Sequence, residues 1–293
     1  MPSKVRKIHD ETWSDVANVS ESELAKWRES LLAQWSRSGM HYLTAVDPTS
    51  IRSDGRPSHV WVTTDEVADV LNPGAKSAVE KPFPNWLYLH ATFYLLENHK
   101  SLGIEKGIFG IEKARQVLMT TGILAWANWY CSFRQFRKGI LSKITQPEAE
   151  DLLEAKIRIP YRRQPPWIRE ALHQTDKPRR QITYKNSGSL MQAVAENAAA
   201  GAMRGISASL VVVDEAAKQK NLDAMMRAAL PMAAMVVALT SADGGELGGQ
   251  SFIHHFSLND RKRMKPIKLD FKRLAQSLEH EILPEIADEW LNM

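Results

Sequence analysis

Apolar positions set the first prediction. Leu24, Trp27, Leu31 and Trp35 recur at helical spacing behind Ser20-Glu21-Ser22-Glu23. In that tetrapeptide a Glu sits three residues after a Ser, the arrangement in which each side chain caps the other's backbone N–H. An amphipathic helix is therefore expected from Ser20 to about Ser38-Gly39, behind a polar stretch over residues 1–19. Residues 47–58 and Glu80-Lys81-Pro82-Phe83-Pro84 are turn-rich. Between them a short helix is expected over Thr64–Leu71, stopped by Asn72-Pro73-Gly74, and a further helix from near Asn85 to about Asn98.

From residue 107 short apolar, β-rich runs alternate with helical patterns. Strands are expected at Gly107–Ile111, Gly139–Ile144, Arg180–Tyr184, Ser189–Val194, Ser209–Val213 and Met235–Thr240, with late strands at Phe252–Ser257 and Ile267–Asp270. Helices are expected at Met119–Phe136, Pro147–Ile157, Leu222–Leu230 and from Leu274 onward. Strands apolar on both faces and alternating with helices imply an α/β fold, a mostly parallel sheet sandwiched by helices. Its expected divisions are a mostly helical N-terminal extension over 1–80, a core over 81–260, and a basic segment with a C-terminal helix over 261–293.

Composition narrows the class. The 293 residues are 44% hydrophobic and 25% charged, ordinary for a globular chain. No apolar run reaches the length needed to cross a bilayer, and the first residues lack the apolar core of a signal peptide. One cysteine, Cys131, allows no internal disulfide and no multi-thiolate zinc site, so an intracellular, reducing setting is expected. The net charge is +4, but it is unevenly spread. Residues 156–185 hold nine basic residues against two acids, and residues 260–273 hold seven against two. Such concentrations of positive charge can attract phosphate backbones, and read equally as a solvated surface.

Two segments carry the candidate chemistry. Gly107 to Thr121 reads as a strand, a short turn, then a helix opened by Thr120 and Thr121; Leu210-Val211-Val212-Val213-Asp214-Glu215 is an apolar strand ending in two acids. A nucleoside triphosphatase needs this pair. Helix N-terminal N–H groups hold phosphates, a lysine reaches the outer phosphates, a hydroxyl and an Asp hold Mg²⁺, and an adjacent Glu orients the attacking water. The usual Gly-x-x-x-x-Gly-Lys-Ser/Thr pattern would fall on Lys113 to Thr120. There Lys113 and Leu118 replace the glycines and Met119 the lysine. Taken alone, the segment reads more readily as a buried strand-to-helix connection capped by Thr120.

Lys113-Ala114-Arg115-Gln116 followed by Met119-Thr120-Thr121 resembles the deviant phosphate-binding loop of the large terminase subunits of tailed bacteriophages. Further pieces resemble that family in order. They are Lys81–Pro84, Leu141-Ser142-Lys143 with Glu148–Leu152, Pro165-Pro166-Trp167, Arg204-Gly205-Ile206-Ser207 before the acidic strand, and Ala238-Leu239-Thr240-Ser241-Ala242. The resemblance covers about residues 80–260 and implies a P-loop NTPase fold of ASCE/RecA-like type. It implies that Lys113 contacts the outer phosphates, with Ala114, Arg115 and Gln116 completing the ATP-binding loop, and that Arg115 reaches the γ-phosphate. Thr120 is then the Mg²⁺ ligand, with Thr121 its substitute. Asp214 holds Mg²⁺ through water, Glu215 is the catalytic carboxylate, Thr240 and Ser241 couple nucleotide state to movement, and Arg204 is a candidate finger toward a neighbouring subunit. Phe83 and Trp86, with Tyr88, are the adenine candidates, though a core role for Trp86 is the stronger expectation.

The implied function is an ATP-hydrolysing motor that moves double-stranded DNA into a procapsid in the host cytoplasm. Its implied partners are the portal ring, the small terminase subunit and further copies of this chain, with no membrane. The family adds a C-terminal nuclease; this chain stops at Met293, and no nuclease activity is expected of it. The alternatives are a non-catalytic nucleotide-binding or scaffold subunit and a helicase-like, nucleic-acid-stimulated ATPase. Elsewhere, Cys131 is expected to be a buried structural thiol. Met191, Met203, Met225, Met226, Met232 and Met235 are expected to fill the core or a subunit surface. His254-His255 cannot share a metal if both lie on one strand. Asp260, Asp270 and Glu279 form no two-metal pattern.

Overall fold

The structure is a computed structural model that describes residues 20–51, 57–68, 76–102, 107–113, 118–175, 178–204, 207–241 and 252. The chain divides into two units: Met1–Pro84 with Pro160–Ala171, and Asn85–Ile159 with Leu172–Met293.

In the first unit, helix α1 (Glu21–Trp35) opens on the expected reciprocal cap. The Ser20 side chain accepts from the Glu23 N–H while Glu23 accepts from the Ser20 N–H. A short helix α2 (Gly39–Leu43) follows. The expectation of a mostly helical extension is corrected here. Strands β1 (Val46–Ile51) and β2 (Pro57–His59) form one antiparallel pair inside the stretch read as turn-rich. Strands β3 (Val62–Ala68) and β4 (Lys76–Pro82) form another, from Val62 opposite Pro82 to Ala68 opposite Lys76. The helix expected over Thr64–Leu71 is therefore a strand as far as Ala68. Four of the seven residues in Val62–Ala68 are β-branched, and cross-strand pairing outweighs the local helical pattern. Glu80 to Pro82, read as a turn, belong to β4.

The first unit's core is aromatic. Trp35, Tyr42 and Trp61 are buried, and Trp35 stacks on Trp167 at 5.8 Å. Trp167 lies in helix α7 (Pro166–Leu172), which follows the single helical turn α6 (Ile159–Arg162). The Trp167 indole N–H donates to Asp47 at 2.8 Å, which gives that fully buried carboxylate one of its partners.

The second unit holds the expected sheet. Helix α3 (Leu87–Asn98) precedes β5 (Gly107–Lys113), which is followed by helix α4 (Met119–Phe133), β6 (Lys138–Lys143) and helix α5 (Gln146–Leu153). A π-helical turn (Glu154–Arg158) continues α5. Then come β7 (Gln181–Tyr184), β8 (Ser189–Ala195), helix α8 (Glu196–Arg204), β9 (Leu210–Val213), helix α9 (Leu222–Met232) and β10 (Met235–Ser241). The order across the sheet is β5-β10-β9-β6-β8-β7, parallel except for the edge pair β7–β8. Helices cover both faces. Ile140, Val211, Val213, Val236 and Ala238 pack in one cluster with Ala199 of α8 and Leu222, Met225, Met226 and Ala229 of α9. On the opposite face, a Cβ at Gly139 would meet the Cys131 sulfur of α4 at 3.3 Å. This is the α/β architecture, a mostly parallel sheet sandwiched by helices, that the sequence predicts.

Several boundaries differ from expectation. Helix α4 stops at Phe133 rather than Phe136, because Arg134 is extended and Phe136 is left-handed (φ 56°). Helix α9 runs past Leu230 to Met232, with Pro231 in its last turn. Of Phe252–Ser257 only Phe252 is described, and it is helical. The strand at Ile267–Asp270, the helix from Leu274, the second basic segment, His254-His255, Asp260, Asp270 and Glu279 lie outside the described residues. Among the described residues no helix is long and apolar enough to cross a membrane.

Candidate active site

The C-terminal ends of β5, β10, β9 and β6 lie side by side, the edge of a parallel sheet where ligands bind in open α/β folds. Strand β10 separates β5 from β9: Val236 to Ala238 pair with Val211 to Val213 on one side, while Thr240 and Ser241 pair with Glu112 and Lys113 on the other. The acid pair is thus one strand removed from the strand that leads into the turn.

Helix α4 closes the gap. Its N-cap is Leu118, which makes no side-chain cap and is left-handed at φ 45°. That conformation costs a non-glycine residue about 1–2 kcal/mol, and it occurs where the usual phosphate-loop pattern has its second glycine. No acidic side chain occupies the first turn. The uncapped N–H groups and the helix dipole therefore make this end attractive to an anion. Thr120 is the helix's second residue rather than its cap, and its Oγ1 donates to Asp214 Oδ1 at 3.0 Å.

Asp214 is held from three further directions. Its N–H donates to the Ser142 carbonyl at 3.0 Å, extending the β6–β9 ladder by one step. The fully buried Gln219 amide donates to the Asp214 carbonyl at 2.9 Å and to the Ser142 carbonyl at 3.4 Å, tying the two strand tips together. Lys143, the last residue of β6, places Nζ 3.1 Å from Asp214 Oδ2 and 3.8 Å from Glu215 Oε2. Burial pulls the Lys143 pKa down, but the Asp214 carboxylate, with Glu215 and Glu148 adding to it, outweighs that and holds the ammonium above its ordinary value. Lys143 is therefore charged at neutral pH. Glu215 is left-handed (φ 52°, ψ 44°) and starts the 3₁₀ turn Ala216–Lys218, so the chain reverses at the acid pair and leaves Glu215 partly exposed.

The other candidates distribute unevenly. Thr121 is buried one residue further into α4. Thr240 is buried and donates to the Ser241 carbonyl at 3.3 Å. Strand alternation from Ala238, opposite Val213, assigns Ser241 rather than Thr240 to the sheet face that carries Asp214. Ala114, Arg115 and Gln116 lie outside the described residues, and Lys113 and Arg204 are described only in their backbone, at the ends of β5 and α8. Phe83 is buried in the first unit. Trp86, expected in a core, is 43% exposed at the N-cap of α3, beside Tyr88; it sits ahead of the helix's apolar face, not on it.

Sequence reasoning missed Lys143 and Gln219 as site residues. The usable signal for Lys143 was a lone cation at the tip of an apolar strand; Gln219 offered none. Arg158 corrects the first basic segment. It is 2% exposed, and its guanidinium donates to the carbonyls of Pro178 (2.6 Å), Arg179 (2.9 Å) and Gln181 (2.6 Å), so it is an internal brace rather than a surface charge. Cys131 is buried, and burial pushes its thiol up to about 12. Met191, Met225, Met226 and Met235 are buried as expected.

No family model and no curated protein matches the chain. Among solved structures, part of it is similar to the HK97 bacteriophage large terminase, at 13% identity and a TM-score of 0.45, covering 57% of this chain and 36% of that one. It is similar also to the large terminase ATPase domain of Thermus phage P74-26, at 14% identity and a TM-score of 0.38, covering 55% of this chain and 66% of that one. The chain thus spans about a third of the HK97 protein's length and less than two thirds of the P74-26 domain's.

Proposed function

We propose that the chain is an ATP-hydrolysing DNA-packaging motor subunit, the ATPase of a tailed-phage large terminase. The observation that carries the reading is the hydrogen bond from Thr120 to Asp214, which joins the helix N-terminus after β5 to the acidic tip of β9 across an intervening strand. The residues fit a magnesium ion. Thr120 and Asp214 offer hard oxygen donors, and no group of three or more His, Cys, Asp or Glu gathers among the described residues. Most of the coordination then falls to water and phosphate, the manner in which Mg²⁺ is usually bound beside nucleotides.

In this reading the first turn of α4 binds the phosphates, with Lys113, Ala114, Arg115 and Gln116 wrapping them and Lys113 and Arg115 reaching the outermost. Thr120, and Asp214 through water, would hold Mg²⁺, which when bound would supply neutralisation of charge on the phosphoryl group. Glu215 orients the attacking water, Thr240 and Ser241 pass the change to neighbouring elements, and Arg204 serves a neighbouring subunit in a ring on the portal. DNA contact is to phosphates and salt-sensitive. The test is steady-state ATP turnover with and without duplex DNA. Glu215→Gln is expected to lower turnover by about 10²-fold or more, the scale of a lost general base, while nucleotide binding persists. Unchanged turnover in that variant refutes the assignment, and strand separation in place of translocation points to a helicase.

A further inference from the structure

We infer that Lys143 is the resident counter-cation of the acid pair, a latch on Asp214 and Glu215 that gives way to a metal–nucleotide complex but not to metal alone. The inference deepens the nucleotide-site reading above and rests on it. Both oxygens of Asp214 are engaged, Oδ1 by the Thr120 hydroxyl and Oδ2 by the Lys143 ammonium. The Asp214 side chain is 4% exposed and that of Lys143 17%, so little water screens the pair. The same ammonium reaches toward Glu215 at 3.8 Å, so one cation spans the two carboxylates to which the reading gives metal binding and water orientation.

A divalent ion arriving alone would meet one buried carboxylate, one hydroxyl and the positive charge of Lys143. A triphosphate changes that balance. It brings negative charge to offset the added cation, and it offers Lys143 an alternative partner, since an ammonium on a flexible stem is a good point-charge ligand for phosphate. The surrounding backbone cannot move as easily. The Asp214-to-Ser142 ladder bond and the Gln219 clamp hold the two strand tips together, so the Lys143 side chain is the movable part of the site. With Lys143 swung toward the phosphates, Glu215 is released to a water.

The experiment titrates Mn²⁺ onto the full chain without nucleotide, following free Mn²⁺ by electron paramagnetic resonance, for the wild type, Lys143→Gln and Lys143→Arg. Removing the charge is expected to tighten metal-only binding by about tenfold or more, the scale on which residues around a metal tune its affinity; the Arg variant should match the wild type. Equal affinities for wild type and Lys143→Gln, or an Arg variant that behaves like Gln, overturn the inference. Acylation footprinting of the unaltered chain needs no variant to fold. Lys143 labelling should change several-fold with Mn²⁺ and a non-hydrolysable ATP analogue and stay constant with Mn²⁺ alone, and a rate indifferent to the Mn²⁺–analogue complex overturns the inference as well. A wild type that never hydrolyses ATP sinks the motor reading but leaves the metal-only titration decisive, because that needs no turnover.

Discussion

Thr120 and Asp214 stand 94 residues apart, and their side chains meet at 3.0 Å. One opens a buried helix; the other closes a strand whose four residues are all buried. A hydrogen bond to a nearly buried carboxylate contributes more than a neutral one, about 1.5–3 kcal/mol. The pair therefore links function to stability.

Thr120→Val should accordingly lower the unfolding free energy by about 1–3 kcal/mol, whereas Thr120→Ser, which keeps the hydroxyl, should stay within about 1 kcal/mol of the parent. Urea denaturation of the three proteins measures this. In the ATPase assay the Val variant should also need more Mg²⁺ for half-maximal turnover than the Ser variant. Identical Mg²⁺ requirements would separate Thr120 from the metal.

Leu118 tests the left-handed helix start. Leu118→Gly removes the positive-φ penalty and sheds a half-buried side chain, so its net effect on stability should be small. Leu118→Val keeps that penalty with a β-branched side chain and should be about 1–2 kcal/mol less stable than Leu118→Gly. Chemical denaturation in which Val is as stable as Gly would show that the residue is not left-handed in solution.

Arg158 separates brace from DNA surface. Arg158→Met removes three hydrogen bonds to backbone carbonyls and should cost about 3 kcal/mol or more. The salt dependence of DNA binding measured on the folded fraction should not change, because a buried guanidinium touches no phosphate. A shallower salt slope with unchanged stability would return Arg158 to the surface.

Cys131 yields a pH prediction. Its thiol lies at about 12 in the fold against 9.0 when free, so the folded chain keeps its proton where the unfolded chain has lost it. The contribution is intact below about pH 9 and drains as pH rises from there toward 12, by about 1.4 kcal/mol per unit. Cys131→Ala should flatten that part of the stability profile relative to the parent. A thiol reagent should label Cys131 only on unfolding, and fast labelling of the native chain would contradict its burial.

Much of this was legible from local chemistry. The Ser20–Glu23 cap, the unbroken apolar run before Asp214 and the threonines after the turn are signals within a few residues of each other, and each describes its own element. The capping box at Thr145 and Glu148 is equally local. Where the reading failed, the deciding partner was distant. Val62 to Ala68 carries a helix-compatible pattern and becomes a strand because Lys76 to Pro82 lies alongside it.

The sequence by itself determined the alternation of elements, the double-sided burial of the central strands and the residue types able to handle a triphosphate, because helical and strand periods and side-chain chemistry are properties of short segments. Tertiary structure alone decided that β10 runs between β5 and β9, that Thr120 reaches Asp214, that Gln219 clamps two strand tips and that Lys143 bridges both acids. Those facts depend on the register of parallel strands contributed by segments far apart in the chain, and no local pattern encodes which strand becomes another's neighbour.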